Sequence, residues 1–419
     1  MIISEINENI FNDFATKHTL KNFFQTKEYG NFMKFSDFSV MYIGAYDNGS
    51  LVAASLVLYK TLSAGIKYGY APRGFLIDYY NTDLLTRFTR EVKSYFNKRK
   101  FAFIKINPEI TFATLDYEKK LKNVNKTNRE LIDTLKSLGY VKLKDHLYFE
   151  SLLPKYTPVI YLPNYNFDLL NKNMIETLRN HELSGITLTI GTENDLETFY
   201  SFVKGKTAHP LSYYKKLYNA FKETGKIDLV LVSLDYSMYV KYLQKQFAYE
   251  QVNNDRINNE FRNNPNDPDL YQEKMKSDQL VNQLQFDIAK VNDKMGENPE
   301  KQILGSALII KHEGRITLFI SGCNKEFNGI DLKTYMYYKI IKDYKDNGYL
   351  YLDLYGITGD FEDTNPYKDL NDFKLKFEPT VYEYIGEFDL IVNKPFHQFL
   401  WSTNKIQKEF YRSKNTNVY

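Results

Sequence analysis

A single cysteine, Cys323, stands in a chain of 419 residues. That excludes an internal disulfide and any metal cluster built on cysteine, and it fits a reducing compartment. Histidine is scarce as well. His18, His146, His181, His209, His312 and His397 nowhere pair at helical spacing, so a histidine-rich metal site is not expected. No apolar run approaches the ~20 residues that span a bilayer. The amino terminus, MIISEINENIFNDF, has early acids and no basic lead, unlike a secretory signal. Charge of one sign is also lacking: 55 Lys and Arg against 52 Asp and Glu leave a net +3. No global basic field can hold nucleic acid, so any contact with phosphates must come from a local patch. The chain is therefore expected to be soluble and cytoplasmic, meeting a membrane only from its surface.

Motifs of common chemistries are missing too. There is no G-x-x-x-x-G-K-[ST] phosphate loop, no G-x-G-x-x-G after a strand and no G-x-S-x-G nucleophile elbow. Cys323, alone beside a strand end, reads as a small buried residue rather than a nucleophile.

What is present is ordinary globular material, 43% hydrophobic and 26% charged, long enough for two or three domains. The 36 tyrosines and 30 phenylalanines accompany many Lys, Asn and Ile, a bias of AT-rich coding, so they are not read as stacking platforms. SVMYIGAYDNGSLVAASLVLYKTL predicts two strands turning at DNGS, and IKYGYAP a third. NTDLLTRFTREVKSYFNKRK predicts a helix capped by Asn81 or Thr82, with Leu84, Leu85, Phe88, Val92, Tyr95 and Phe96 on one face. FAFIKINPEI follows as a buried strand, and NRELIDTLKSLGY as a helix ended by Gly139.

The same order returns in KIDLVLVSLD, the hairpin SALIIKHEGRITLFISG, the helix DLKTYMYYKIIKDYKDNG and the strand YLYLDLYGI. An internal repeat of one α/β, acyltransferase-like unit is expected. The second copy is interrupted at 236–303 by two amphipathic helices broken at RNNPNDPD. Val240, Leu243 and Phe247 in one, and Leu280, Leu284, Ile288, Val291 and Met295 in the other, predict an antiparallel coiled-coil arm.

Two stretches carry chemistry. APRGFLIDY puts a bare cation, Arg73, and a glycine, Gly74, where a strand hands over to a helix: a turn with a solvated arginine, or an anion-recognition corner. LYGITG follows a buried strand, and Gly356 and Gly359 let backbone approach a ligand. FKLKF, read as a strand, alternates Lys374 and Lys376 with Phe373 and Phe377, giving one basic and one aromatic face.

FQTKEYGNF, PRGFLIDY, IKINPEI, the arm, SGCNKEF, YGITGDF, FKLKF and YIGEFDLIVNKPF resemble, in order and spacing, the Fem (FemABX-like) family of non-ribosomal peptidyltransferases over nearly the whole chain. The resemblance implies an α/β fold of two GNAT-like (acyl-CoA N-acyltransferase-type) domains with the coiled-coil arm inserted in the second. The first would cover 1–155, with 394–419 packing back on it, the second 156–393, and the arm 236–303. It implies transfer of an amino acid, glycine or serine being the candidates, from aminoacyl-tRNA to the peptide stem or bridge of a lipid-linked peptidoglycan precursor. The place would be the inner face of a bacterial membrane, with other Fem-type proteins as further partners and neither cofactor nor metal.

The ester is already activated, so the protein must align the substrates, free the amine of its proton and stabilise an oxyanion. The resemblance gives Lys374 the catalytic oxyanion or phosphate contact. It makes Phe373, Arg73, Gly74, Tyr355, Gly356, Lys34, Asn107 and Phe377 the substrate-binding candidates. The chain departs from the family at three places. Asn107 stands where relatives carry an acid. Met33 stands where they carry lysine, with Lys34 next door. TLRNHELSG, with Arg179 and His181, stands for a strongly basic helix. These departures favour an alternative, a non-catalytic paralogue that partners an active relative. An acyl-CoA N-acyltransferase is a weaker third, for lack of a pyrophosphate loop.

Overall fold

The computed structural model describes residues 1–62, 65–116, 121–149, 151–297, 302–324 and 331–402. In chain order its strands are β1 (Ile2–Glu5), β2 (Ser39–Asp47), β3 (Ser50–Thr61), β4 (Lys67–Ala71), β5 (Phe101–Ile106), β6 (Thr111–Asp116), β7 (Leu121–Val124) and β8 (Tyr140–Lys142). They continue with β9 (Tyr156–Tyr161), β10 (Ile186–Ile190), β11 (Ile227–Leu234), β12 (Gln302–His312), β13 (Arg315–Cys323), β14 (Tyr351–Asp353), β15 (Thr380–Tyr384) and β16 (Phe388–Ile391). One sheet has seven strands in the order β1-β2-β3-β4-β5-β16-β8. The other has nine, β10-β11-β12-β13-β14-β9-β15-β6-β7.

The repeat is plain in the register. β2, β3 and β4 form an antiparallel meander, and the Thr82–Asn97 helix crosses to β5, which pairs parallel with β4. β11, β12 and β13 do the same, and the Leu332–Asp346 helix crosses to β14, parallel with β13. In each lobe the next strand is antiparallel, β16 on β5 and β9 on β14. The lobes also exchange chain: β6 and β7 extend the nine-stranded sheet, while β16 returns to the seven-stranded one.

Local chemistry fixes the elements. Both meanders turn through a pair of left-handed residues, Asn48–Gly49 (φ 50° and 84°) and Glu313–Gly314 (φ 47° and 79°), the twist that matches a tight hairpin. Asn81 caps the Thr82–Asn97 helix by accepting from the Leu84 amide, and the predicted apolar face is buried. Gly139 (φ 89°) ends the Lys126–Ser137 helix in the left-handed conformation. All six residues of β5 are buried, as a strand covered on both faces must be. At the carboxyl end, Leu400 of the Lys394–Ser402 helix is buried in the core of the first lobe. The rest of the expected return, 403–419, lies outside the described residues, as do Lys325–Phe327 of SGCNKEF and 298–301 of the arm.

The interruption in the second lobe consists of two long helices, Tyr236–Asn263 and Pro268–Glu297. They run antiparallel, since Asn254 bonds Asp278 (2.6 Å) while Arg256 reaches Glu273 (3.4 Å). Asp267 accepts from the Asp269 and Leu270 amides, so Pro268 opens the second helix at the position a proline tolerates best. Val240, Leu243 and Val291 are buried, with Leu284, Ile288 and Met295 packed on the same cluster. Leu280 does not join the seam and is 43% exposed. At its height Asn254 bonds Ser277 and Asp278 instead, so amides and carboxylates fill the space between the helices. None of the described helices is long and apolar enough to cross a membrane.

Candidate functional site

The Arg73 corner is buried, not solvated. Gln25, wholly inaccessible, donates to the Pro72 carbonyl (2.7 Å) and accepts from the Leu56 amide (2.9 Å), tying the corner to β3. Gly74 packs against that amide: a Cβ there would lie 3.0 Å from Gln25 Nε2 and 2.8 Å from Ser55 Oγ. Arg73 takes a left-handed backbone (φ 53°), held by its amide donating to Asn107 Oδ1 (2.8 Å). Its guanidinium donates to the Pro154 carbonyl (2.8 Å) and lies 4.8 Å from the Tyr384 ring centroid. Arg73 therefore joins the corner to the segment leading into the second lobe. Asn107 serves as a backbone clamp, its Oδ1 occupied by Arg73 and its amide donating to Tyr70 (3.1 Å).

Two residues after Asn107, Glu109 supplies a carboxylate that motif reading passed over. It accepts from Arg315, from Asn22 and from the Tyr384 hydroxyl (3.0 Å). Arg315, on β13, also binds Asp353 at the end of β14. Burial alone would raise the Glu109 carboxyl, but Arg315 and Arg73 outweigh it and hold it below the usual carboxylate range. The chain of contacts goes further. Asp353 Oδ1 accepts from the Tyr355 amide (2.7 Å), fixing Tyr355 in a left-handed turn (φ 62°) with its ring 5.3 Å from Phe319. That turn aims the Gly356 carbonyl at the Lys374 ammonium, 2.8 Å away.

FKLKF is not a strand. Lys368–Leu375 is helical, with Asn371, Lys374 and Leu375 on the buried side. Alternation gave the wrong period because two of those three inward residues are polar and hid the helical spacing. Asn371 is inward for a reason: its side chain accepts from the Thr358 amide (3.1 Å) and donates to the Thr358 hydroxyl (2.9 Å), fastening the helix to the LYGITG loop. Lys374 and Lys376 consequently leave the helix in different directions. Lys374 is 6% exposed. Burial, reinforced by Lys333 and opposed by Asp353, lowers its ammonium to about 7.

Phe373 is ringed by cations. Lys333 lies 3.5 Å and Lys376 4.3 Å from its centroid, so the two ammonium groups are within about 8 Å of each other. Lys206, which donates to the Ser321 carbonyl (3.1 Å), is a further cation close enough to act on Lys333. Burial and then Lys206 lower Lys333 to about 8, while Asp331 acts in the opposite sense. Phe377 is wholly buried, stacked on Tyr337 at 5.5 Å, and belongs to the core of the second lobe. Burial pushes the Cys323 thiol up to about 11, in keeping with an unreactive cysteine.

The sequence candidates thus form two groups: Phe373, Lys374, Phe377, Tyr355 and Gly356 in the second lobe, and Arg73, Gly74 and Asn107 in the first. They meet at Pro154, whose carbonyl receives Arg73 and whose ring abuts Gly356. A pocket opens beside this junction, lined by Arg73, Asn107, Asp145, Lys155, Tyr384 and Glu387 among others. Lys34 joins neither group. It bonds Asn31 (2.8 Å) and Glu8 (3.4 Å) with half its side chain exposed, while Met33 packs among apolar residues. His181 faces inward against Tyr335, its imidazole lowered by burial, so it adds no cation to the Lys172–Leu183 helix.

Gly356 gives a direct check on the junction. A Cβ there would lie 2.6 Å from Pro154 Cγ, so Gly356→Ala must push the turn or the proline aside. Overpacking of this kind costs about 1–3 kcal/mol. Urea unfolding is expected to register that loss, whereas Gly348→Ala, whose Cβ meets nothing, probes backbone strain alone (φ 78°).

Comparison with known proteins agrees with this architecture. The crystal structure of FemX superposes with a TM-score of 0.72 at 21% identity, covering 96% of this chain and all of that one. The fold is accordingly a mixed α/β one of two duplicated lobes, shared with FemX. The aminoacyltransferase FemA of Staphylococcus epidermidis is 24% identical over 416 residues, 95% of this chain and 98% of the relative. FemA of Staphylococcus aureus strain NCTC 8325 is 22% identical over 378 residues, 87% and 89% of the two chains. The profile of the FemAB family matches residues 6–405, and the chain belongs to that family.

Proposed function

We propose that the protein is an aminoacyltransferase that moves an aminoacyl group from tRNA to an amine on the peptide of a lipid-linked peptidoglycan precursor. Glycine and serine are the first aminoacyl groups to try. Support comes from family membership, from relatives named as aminoacyltransferases, and above all from Lys374. That residue is a buried ammonium with one N–H on the Gly356 carbonyl, which leaves two donors for an ester oxygen. No protein nucleophile is required, because the ester is attacked directly by the acceptor amine. Lys374 donates to the carbonyl oxygen as it becomes an oxyanion. The lysines around Phe373 receive phosphates of the RNA, and the precursor is met from the membrane surface.

The test is transfer of labelled amino acid into purified lipid-linked precursor from charged tRNA. Transfer that depends on Lys374 supports the reading. Absence of transfer with every charged tRNA, together with binding to an active family member, would replace it with the partner role.

The lysines make a separate prediction. Binding of an uncharged RNA hairpin bearing a single-stranded 3′ end should weaken in Lys206→Met and Lys333→Met. The slope of log K against log salt should fall by about 0.7–0.9 per lysine that neutralises a phosphate. Fluorescence titration between low and moderate salt measures it. Slopes equal to wild type would remove these residues from the RNA path.

A further inference from the structure

Direct aminolysis needs the acceptor as a free amine, yet at neutral pH an alkylamine is an ammonium ion. Something must hold that cation and take its proton. Asn107 cannot, because an amide is not a base and its Oδ1 already accepts from the Arg73 amide. Glu109 cannot, because Arg315, Asn22 and Tyr384 engage it.

Two carboxylates line the pocket beside the junction, Asp145 and Glu387. Asp145 is neutralised twice, by Lys142 and by Lys155 at 2.9 Å. Glu387 differs. Its Oε1 accepts from the Leu152 amide (3.0 Å), and among the described residues its Oε2 neither takes a protein hydrogen bond nor is sealed from solvent.

The position of Glu387 follows from strand register. Phe388 pairs with Ile106 and Asp389 with Lys105 across antiparallel β16 and β5. One step further places Glu387 opposite Asn107. Alternation puts both on the face that carries the Lys105–Asp389 pair (2.9 Å). Both line the same pocket. The wall they share includes Pro154, which abuts the residue whose carbonyl holds Lys374.

We propose that Glu387 is the acceptor-amine site: its carboxylate binds the ammonium of a primary alkylamine on the incoming peptide and removes one proton from it. This rests on the function proposed above. The proton passes from nitrogen to Glu387. The nitrogen lone pair forms the C–N bond at the ester carbonyl. The C–O bond to the ribose then breaks as the second proton moves from that nitrogen to the departing ribose oxygen, which leaves as the alcohol, and Glu387 returns its proton to solvent. Burial raises the Glu387 carboxyl, against the pull of Lys105 and Arg73 and with Asp389 adding to the rise, which makes it a stronger base than an exposed glutamate.

The test separates amine binding from transfer. Calorimetry compares Nα-acetyl-lysyl-D-alanyl-D-alanine with the same peptide acetylated on its side-chain amine. Wild type should prefer the free amine by about tenfold or more, the affinity of one charge-assisted contact. Glu387→Gln, which keeps the acceptor for the Leu152 amide, should erase the preference. Adding Asn107→Asp should restore it, because the new carboxylate sits across the rung on the same face. Transfer activity, where measured, should fall ~10²–10⁴-fold in Glu387→Gln and recover in the double variant. Equal binding of the two peptides by wild type, or a preference unchanged in Glu387→Gln, overturns the inference. Discrimination by wild type that is lost in Glu387→Gln, in a protein without transfer activity, would uphold the amine site and sink the transferase reading instead.

Discussion

Lys374→Met is expected to lower transfer about 10²–10³-fold, the effect of removing one donor aimed at a developing oxyanion, ~2.7–4 kcal/mol. The same change should leave stability equal or higher. A buried ammonium with one carbonyl partner is costly to desolvate, and methionine fills the space without that cost. Loss of turnover without loss of unfolding free energy would therefore distinguish a chemical role from a packing one.

The pH dependence has a definite sign. The folded ammonium is lowered to about 7, below its unfolded value near 10.4. Between those values the unfolded chain binds the extra proton, so wild-type stability rises with pH across that window. Activity runs the other way, because only the protonated form gives the oxyanion a charge-assisted hydrogen bond, and should fall as pH rises through about 7. Lys333→Met removes a like charge and should move that limb upward. Single-turnover rates across pH 6 to 9 measure it. A Lys374→Met variant with wild-type turnover would end the proposed role of this residue.

Arg315→Met should be the most destabilising single change at the junction of the lobes. It leaves Glu109 and Asp353, whose side chains are 11% and 10% exposed, without their shared counter-charge. Breaking a buried pair by removing one partner costs about 3–5 kcal/mol. The loss should be greatest near neutral pH. It should shrink as pH falls toward the carboxylate range, because Glu109 can then take up a proton and lose its charge. Urea unfolding at several pH values checks both the size and the trend. A midpoint unchanged at pH 7 would mean that the triad contributes nothing net. Arg87, on the surface with Asp47 and Asp83, is the contrasting case: solvent and salt screen such pairs, and they add little to stability.

β5, the Thr82–Asn97 helix, the turns at Asn48–Gly49 and Glu313–Gly314 and the cap at Asn81 follow from local rules: burial period, turn chemistry and one side-chain oxygen meeting an orphan amide. The repeat was legible for the same reason, since each copy carries its own periodicity. FKLKF failed because its helix turns polar Asn371 and Lys374 inward, where a hydrophobic pattern carries no signal. Leu280 failed because hydrogen bonds of Asn254 to the facing helix displaced an apolar seam.

The order of strands and helices within the two repeated units, and their duplication, were thus determined by the sequence itself, through interactions between residues close in the chain. The tertiary structure alone decided that Arg73 is a buried strut, that Glu109, Arg315 and Asp353 form one cluster, and that Glu387 and Asn107 line one pocket. Those partners are separated by up to some 280 residues, and β6, β7 and β16 cross between the sheets to bring them together. Charge and hydrogen bonding act through space, and the register that sets such distances is the outcome of folding, with no trace in local spacing.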